Sequence, residues 1–353
     1  HCENLKEVQL ADSITGLGEY SFAYADNLET ITIPENVTEI GDKAFLGCDS
    51  LTGMVIPDRV TFLGSYVFSE CENLEELKIS ENVTVIPVGM ASRCHKLKNV
   101  TIGNKVESIG NVAFEYCWEF ASINIPNTVT SIGNHAFDSC SKLEDITLPD
   151  SIESYGDSCF AGCGLSNVTF GENLSSIGEF AFSSCANITE LQIPERVTTI
   201  GRAAFYNCES LTGMWVDENN EYYSNDEKGC LYNKEKTILM AAPGTLAGEF
   251  AIPESVQEVA EYVFYGCKNL TNVKFHEGPL QLGNFAFAAC TGIEAVVIPE
   301  SVTAIGTRCF ANNTNLKEIT FEGDAPSIVF NTFEGVTANV YYPSNNDTWT
   351  TEL

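Results

Sequence analysis

The sequence predicts a repeat solenoid, a stack of similar short coils sharing one apolar core, and three observations over its 353 residues carry that expectation. A cysteine recurs at a fixed step, a phenylalanine stands ahead of it, and a run of alternating apolar residues follows it. The anchor positions are Cys2, Ala25, Cys48, Cys71, Cys94, Cys117, Cys140, Cys163, Cys185, Cys208, Cys267, Cys290 and Asn313. The step is 23 residues, except for 22 between Cys163 and Cys185 and 59 between Cys208 and Cys267, which is one 36-residue unit followed by an ordinary one.

The coil from Leu28 to Leu51 justifies each element in order. Leu28, Ile31 and Ile33 end in a period of two, which marks a strand with one buried face. Val37, Ile40 and Gly41 supply a second, shorter extended piece closed by a turn. "DKAFLGC" then reads as a short helical or 3₁₀ segment with Ala44, Phe45 and Cys48 facing inward. No single coil can bury these residues alone, so each must stack on its counterparts above and below. About fourteen coils are expected over residues 1–343. The longer coil at 217–248 carries a predicted β-hairpin within 222–241, from "CLYN", "KEKT" and "ILMA". Residues 344–353 are expected to form a polar capping tail in which Trp349 covers the last coil. Because His1-Cys2 falls inside a repeat, an upstream portion is expected to have been removed.

Apolar content of 44% with 10% aromatics is that of a folded protein. The formal charge of −31 disfavours nucleic acid and anionic membrane, both of which need clustered Lys and Arg. The longest apolar runs, such as "FAFAAC", are far short of the roughly 20 residues of a membrane helix.

Leu28-x-x-Ile31-x-Ile33-x-x-Asn36 resembles a leucine-rich repeat. With the 23-residue step, the I-P, the V-T-x-I-G and the A-F-x-x-C, the chain from about residue 2 to 343 is similar to the BspA-like, treponemal-type family. Pro87 in place of Gly, Ala91 in place of Phe, and Asn313 in place of Cys are local departures. The resemblance implies a curved solenoid with long parallel strands on one face, and short strands and short helical or 3₁₀ turns on the other. It also implies a secreted or cell-surface, adhesin-like protein that binds a host extracellular-matrix or cell-surface protein, or a glycan. A passive spacer is the alternative and a carbohydrate-active enzyme a distant third. A monomer without cofactors is expected.

Three readings of the 14 cysteines compete. A disulfide framework needs adjacent anchors within about 7 Å, and Ala25 and Asn313 would leave partners unmatched. A metal site needs converging ligands, whereas these thiols form a line. Core filling is therefore expected. Cys159 and Cys309 occupy the Ala44-equivalent position. Cys230, in the insertion, is expected to be buried yet is the readiest candidate for a reactive thiol.

Function is sought in what the repeat leaves exposed. Trp215 is the one large aromatic in the outward strand columns, Gly213 clears space beside it, and the insertion begins two residues later. The candidate binding residues are Trp215, Gln192, Glu190, Glu249, Tyr222 and Tyr223, since exposed aromatics are favoured anchors. A column of acids, including Glu172, Glu195, Glu218, Glu254, Glu277 and Glu300, is a weak candidate for collecting Ca²⁺. No other metal site is expected. The four histidines occupy unrelated repeat positions, and no G-x-S-x-G, H-E-x-x-H, phosphate loop or C-x-x-C occurs, so no catalytic residues are assigned.

Overall fold

Coil stacks on coil in register: Glu7↔Thr30, Val8↔Ile31 and Gln9↔Thr32 pair in parallel, each the partner of the residue 23 positions on. The computed structural model describes residues 4–329 and 331–349, so the first anchor, Cys2, and His1 lie outside the described residues. The chain divides into two compact units, His1–Ala186 with Arg196–Ala204, and Asn187–Glu195 with Phe205–Leu353. Both are parallel-strand solenoids.

In the first unit one face carries three-residue strands such as Gly53–Val55, Glu76–Lys78 and Asn99–Thr101. Beyond Asn99 that face thins to isolated bridges, Asn99↔Ser122, Asn124↔Thr147 and Asp145↔Asn167. The V-T-x-I-G pieces form two-residue strands, and these make the longer ladder: Val85–Ile86, Ser108–Ile109, Ser131–Ile132, Ser154–Tyr155, Ser176–Ile177 and Thr199–Ile200 join in one sheet. In the second unit the strands lengthen. Ala295–Ile298, Glu318–Phe321 and Asn339–Tyr341 pair on one face, and Ile238–Ala241, Glu258–Val259, Leu280–Leu282, Val302–Ile305 and Ser327–Ile328 on the other.

The expected helical or 3₁₀ segment is not there. Among the described residues there is no helix, and "DKAFLGC" folds as two successive tight turns with Lys43 at φ 55° and Gly47 at φ 67°. The pair recurs four residues apart in coil after coil, as Val112 and Tyr116, His135 and Ser139, or Tyr262 and Gly266. Hydrogen bonding explains the difference. Lys43 N, Phe45 N and Gly47 N donate to the carbonyls of Ser65, Val67 and Ser69 in the next coil at 2.8–2.9 Å, while Leu46 N and Cys48 N close turns on Lys43 O and Phe45 O. A helix would consume these amides within its own segment. Here every second amide is turned outward to hold the neighbouring coil.

The core is a set of ladders. Phe22, Phe45 and Phe68 stack with ring centroids 5.2–5.3 Å apart, and Phe264, Phe287 and Phe310 do the same at 4.9–5.3 Å. Offset stacking at this spacing adds about 0.5–1.5 kcal/mol per pair beyond burial. The glycine closing each short strand lets coils approach: a Cβ on Gly64 would lie 2.3 Å from Asp42 N, and one on Gly178 2.5 Å from the Gly156 carbonyl carbon.

All thirteen cysteines among the described residues are buried free thiols. The anchor thiols are also directional. Cys71, Cys94, Cys117, Cys140, Cys163 and Cys185 each donate to the carbonyl of the Phe-position residue one coil back, at 3.0–3.2 Å. Asn313, where the anchor is not Cys, makes the same bond from Nδ2 to Phe287 O at 2.9 Å. Burial pushes the thiols of Cys94, Cys140 and Cys290 up, and that of Cys267 to about 12.

Candidate binding site

Trp215 lies on the strand Gly213–Val216, which pairs in parallel with Glu190–Ile193 so that Gln192 is beside Trp215 and Glu190 beside Gly213. The insertion follows as an antiparallel meander. Tyr223–Asn225 pairs with Leu231–Asn233, and Leu231–Asn233 with Ile238–Ala241, which rejoins the parallel ladder at Glu258–Val259.

The turn of this meander folds onto the Trp215 strand. Met214 N donates to Gly229 O at 2.9 Å, and Val216 N donates to Asn225 Oδ1 at 2.9 Å. Two glycines make the approach possible. A Cβ on Gly229, which sits at φ +73°, would lie 2.4 Å from Gly213 Cα, and one on Gly213 would lie 2.7 Å from Trp215 Cζ2. The indole is thus folded down across Gly213 and left half-buried.

The result is a pocket of about 740 Å³ walled by Trp215, floored by Phe250 and Ala251, and rimmed by Asn225, Asp226, Glu227, Lys228 and Lys236. Its rim is held from within. Asp226 Oδ1 accepts from the amides of Lys228 and Cys230 at 3.0 and 2.9 Å, and Oδ2 accepts from the Tyr232 hydroxyl at 2.9 Å. Lys228 Nζ donates to Glu249 O at 3.2 Å and stands 5.2 Å from the Phe250 ring centroid. Lys236 Nζ donates to Asn225 O at 3.2 Å and stands 5.6 Å from the Tyr232 ring centroid. Each ammonium has three N–H groups, so both keep donors for a ligand. The pocket therefore offers a flat apolar wall and two cations, set beside the Asp226 and Glu227 carboxylates, in a chain whose formal charge is −31.

The structure brings some of the anticipated residues together and separates others. Gln192 and Glu190 are exposed on the strand next to Trp215. Glu249 is exposed but engaged: its carboxylate meets Lys274 Nζ at 2.6 Å and Asn272 Nδ2 at 2.9 Å, and the Lys274 bond holds its pKa below the usual range. Tyr222 is exposed outside the pocket. Tyr223 is buried, at 8% exposure, because its strand turns that side chain into the core, so its assignment as a binding residue is corrected. Cys230 is fully buried and desolvation raises its pKa well above the thiol range, which leaves it unreactive.

Glu172, Glu195, Glu218, Glu254, Glu277 and Glu300 are all exposed, and none belongs to a cluster of three ligand atoms. Elsewhere in the same acidic column the carboxylates serve the turn: Asp58 Oδ1 accepts from Glu81 N and Asp150 Oδ1 from Glu172 N, both at 3.2 Å. Sequence reasoning missed Lys228, Lys236 and Phe250. Two lysines eight residues apart in so acidic a chain were the available signal. It also missed Trp118, 47% exposed and stacked on His95 at 3.9 Å.

The stacked parallel coils define a leucine-rich-repeat solenoid. The BspA type leucine rich repeat region, in six copies, matches residues 1–120, 107–230 and 245–352, and the chain belongs to this family. Among solved structures, a leucine-rich repeat protein from Eubacterium ventriosum is similar at 31% identity and a TM-score of 0.62, over 68% of this chain. The match spans 64% of that protein's own chain. A leucine rich cell surface protein from Faecalibacterium prausnitzii has 24% identity and a TM-score of 0.59, covering 95% of this chain and 85% of that one. The pneumococcal vaccine antigen PcpA has 20% identity and a TM-score of 0.57, covering 85% and 81%. The last two likenesses speak to fold alone. None of the curated proteins matches the chain. No helix among the described residues is long and apolar enough to cross a membrane.

Proposed function

We propose that this chain is a non-enzymatic, adhesin-like binding protein displayed at the cell surface, and that the pocket beside Trp215 seats its ligand. The observation that carries the reading is the indole laid across Gly213 and flanked by Lys228 and Lys236. An indole face suits the apolar face of a sugar ring, and ammonium groups suit hydroxyl and carboxylate oxygens. The ligand class it fits best is a cell-surface glycan bearing an acidic sugar. Membership in the BspA-type family supports a binding role.

The test is a panel of acidic and neutral glycans and host matrix proteins, probed with the wild-type chain, Trp215→Ala and the double variant Lys228→Ala, Lys236→Ala. Binding to an acidic glycan should weaken at least tenfold in both, about 1.4 kcal/mol. A captured ligand that both variants bind as tightly as wild type removes the pocket from the reading. A matrix protein captured through Trp215 replaces the glycan, and a chain that captures nothing supports the spacer alternative.

A further inference from the structure

We propose that Glu115, His135 and Asp138, in the first unit, form a binding site for a divalent transition-metal ion of the zinc type. One ligand atom from each lies within 4.8 Å of the other two. The repeat itself builds the site. Glu115 and Asp138 each follow the core phenylalanine of their coil, Phe114 and Phe137, so the 23-residue step stacks one carboxylate on the other. His135 joins them from the left-handed position of the tight turn, at φ 55°, with Nδ1 2.9 Å from Asp138 Oδ2. That backbone conformation is fixed by the next coil, since His135 N donates to Asp157 O at 2.8 Å.

Two hydroxyls orient the carboxylates from the side. Ser139 Oγ donates to Asp138 Oδ1 at 2.8 Å, and Ser92 Oγ donates to Glu115 Oε2 at 3.4 Å. Outer hydrogen bonds of this kind are what fix metal-ligating carboxylates. Charge distinguishes the place. Elsewhere an acid on the coil surface meets a cation one coil away, as in Glu75 with Lys98, Glu179 with Arg202, and Glu294 with Lys317. Among the described residues neither Glu115 nor Asp138 has an ion pair with Lys or Arg; His135 pairs with Asp138, and Glu115 lies within 4.8 Å of both. The groups are half-buried, with His135 44% and Asp138 18% exposed, so an ion can enter and still feel a reduced dielectric.

One imidazole nitrogen with two carboxylate oxygens suits Zn²⁺, whereas Ca²⁺ calls for six or more oxygens. Zn²⁺ bonds of about 2.0–2.2 Å would draw the three ligand atoms closer than the 4.8 Å within which they now lie. Three protein ligands leave a fourth position open to water or to a side chain of another molecule. This site is separate from the Trp215 pocket and stands whether or not that pocket binds a ligand.

Isothermal titration of the full chain with ZnCl₂, and with CaCl₂ at matched ionic strength, tests it. One saturable Zn²⁺ site is expected, weakened at least tenfold in His135→Asn and in Glu115→Gln and unchanged in His95→Asn. Circular dichroism melts establish that each variant is folded, and Glu115→Gln carries the test if His135→Asn is not. No saturable Zn²⁺ binding by the wild-type chain, binding retained by the folded variants, or binding lost in His95→Asn would overturn the site. Equal occupancy by Ca²⁺ would overturn the zinc-type assignment.

Discussion

Asn313 shows at a single position what the recurring cysteine is for. A thiol in a tight apolar slot reads from sequence as a filler, and burial agrees. Direction was hidden, because a sulfhydryl carries both a packing and a donor role and the spacing reports only the first. Asn313 was the trace of the second: a polar amide in that slot makes sense only if a carbonyl awaits it, and Phe287 O accepts its Nδ2. The fit is imperfect, since Asn313 Oδ1 is buried without a partner. Asn313→Cys should keep the donor and remove the orphan, stabilising the chain by about 1 kcal/mol in thermal melts. Cys140→Ala, which deletes a donor and leaves a small void, should cost about 1–2 kcal/mol. If Cys140→Ala melts as wild type does, the inter-coil thiol bond contributes nothing.

The tight-turn pair is the element where sequence and structure part. Phe45 and Cys48 three apart, both inward, fit a helical turn as well as they fit two linked tight turns. Side-chain spacing records which way residues face, not where backbone amides bond, and that destination, the next coil, separates the two. The glycines at Gly47, Gly162 and Gly266 marked the second left-handed position and Gly89 the first, but Arg93 and Tyr116 at the second and Val112 at the first obscured them. Val112 is β-branched at φ 49°, a conformation that costs such residues about 1–2 kcal/mol. Val112→Asn should recover about half of that as stability on chemical denaturation. Gly178→Ala should do the reverse, by about 1–3 kcal/mol, because its Cβ would enter the Gly156–Asp157 backbone. The strands around Trp215 were legible from alternation. The cations of the pocket were not, since only the folded meander carries Lys228 and Lys236 back to the indole.

Across the whole molecule the same burial recurs so often that it becomes a property of the chain. Unfolded thiols ionise near pH 8.5 and the folded ones far higher. Above that pH the unfolded state binds fewer protons than the folded one, so stability falls as pH rises. Each masked thiol removes about 1.4 kcal/mol per pH unit once its unfolded counterpart is ionised. Under reducing conditions the melting temperature should hold steady between about pH 7 and 8 and drop steeply above about pH 9; an unchanged value at pH 10 would contradict the burial. The thiol column also makes the molecule its own ruler. In the native state no described sulfhydryl is open to an alkylating reagent, and most coils hold one. A brief pulse of iodoacetamide followed by weighing the intact chain would turn partial opening into an integer, and peptide mapping of the tags would say which rungs let go first.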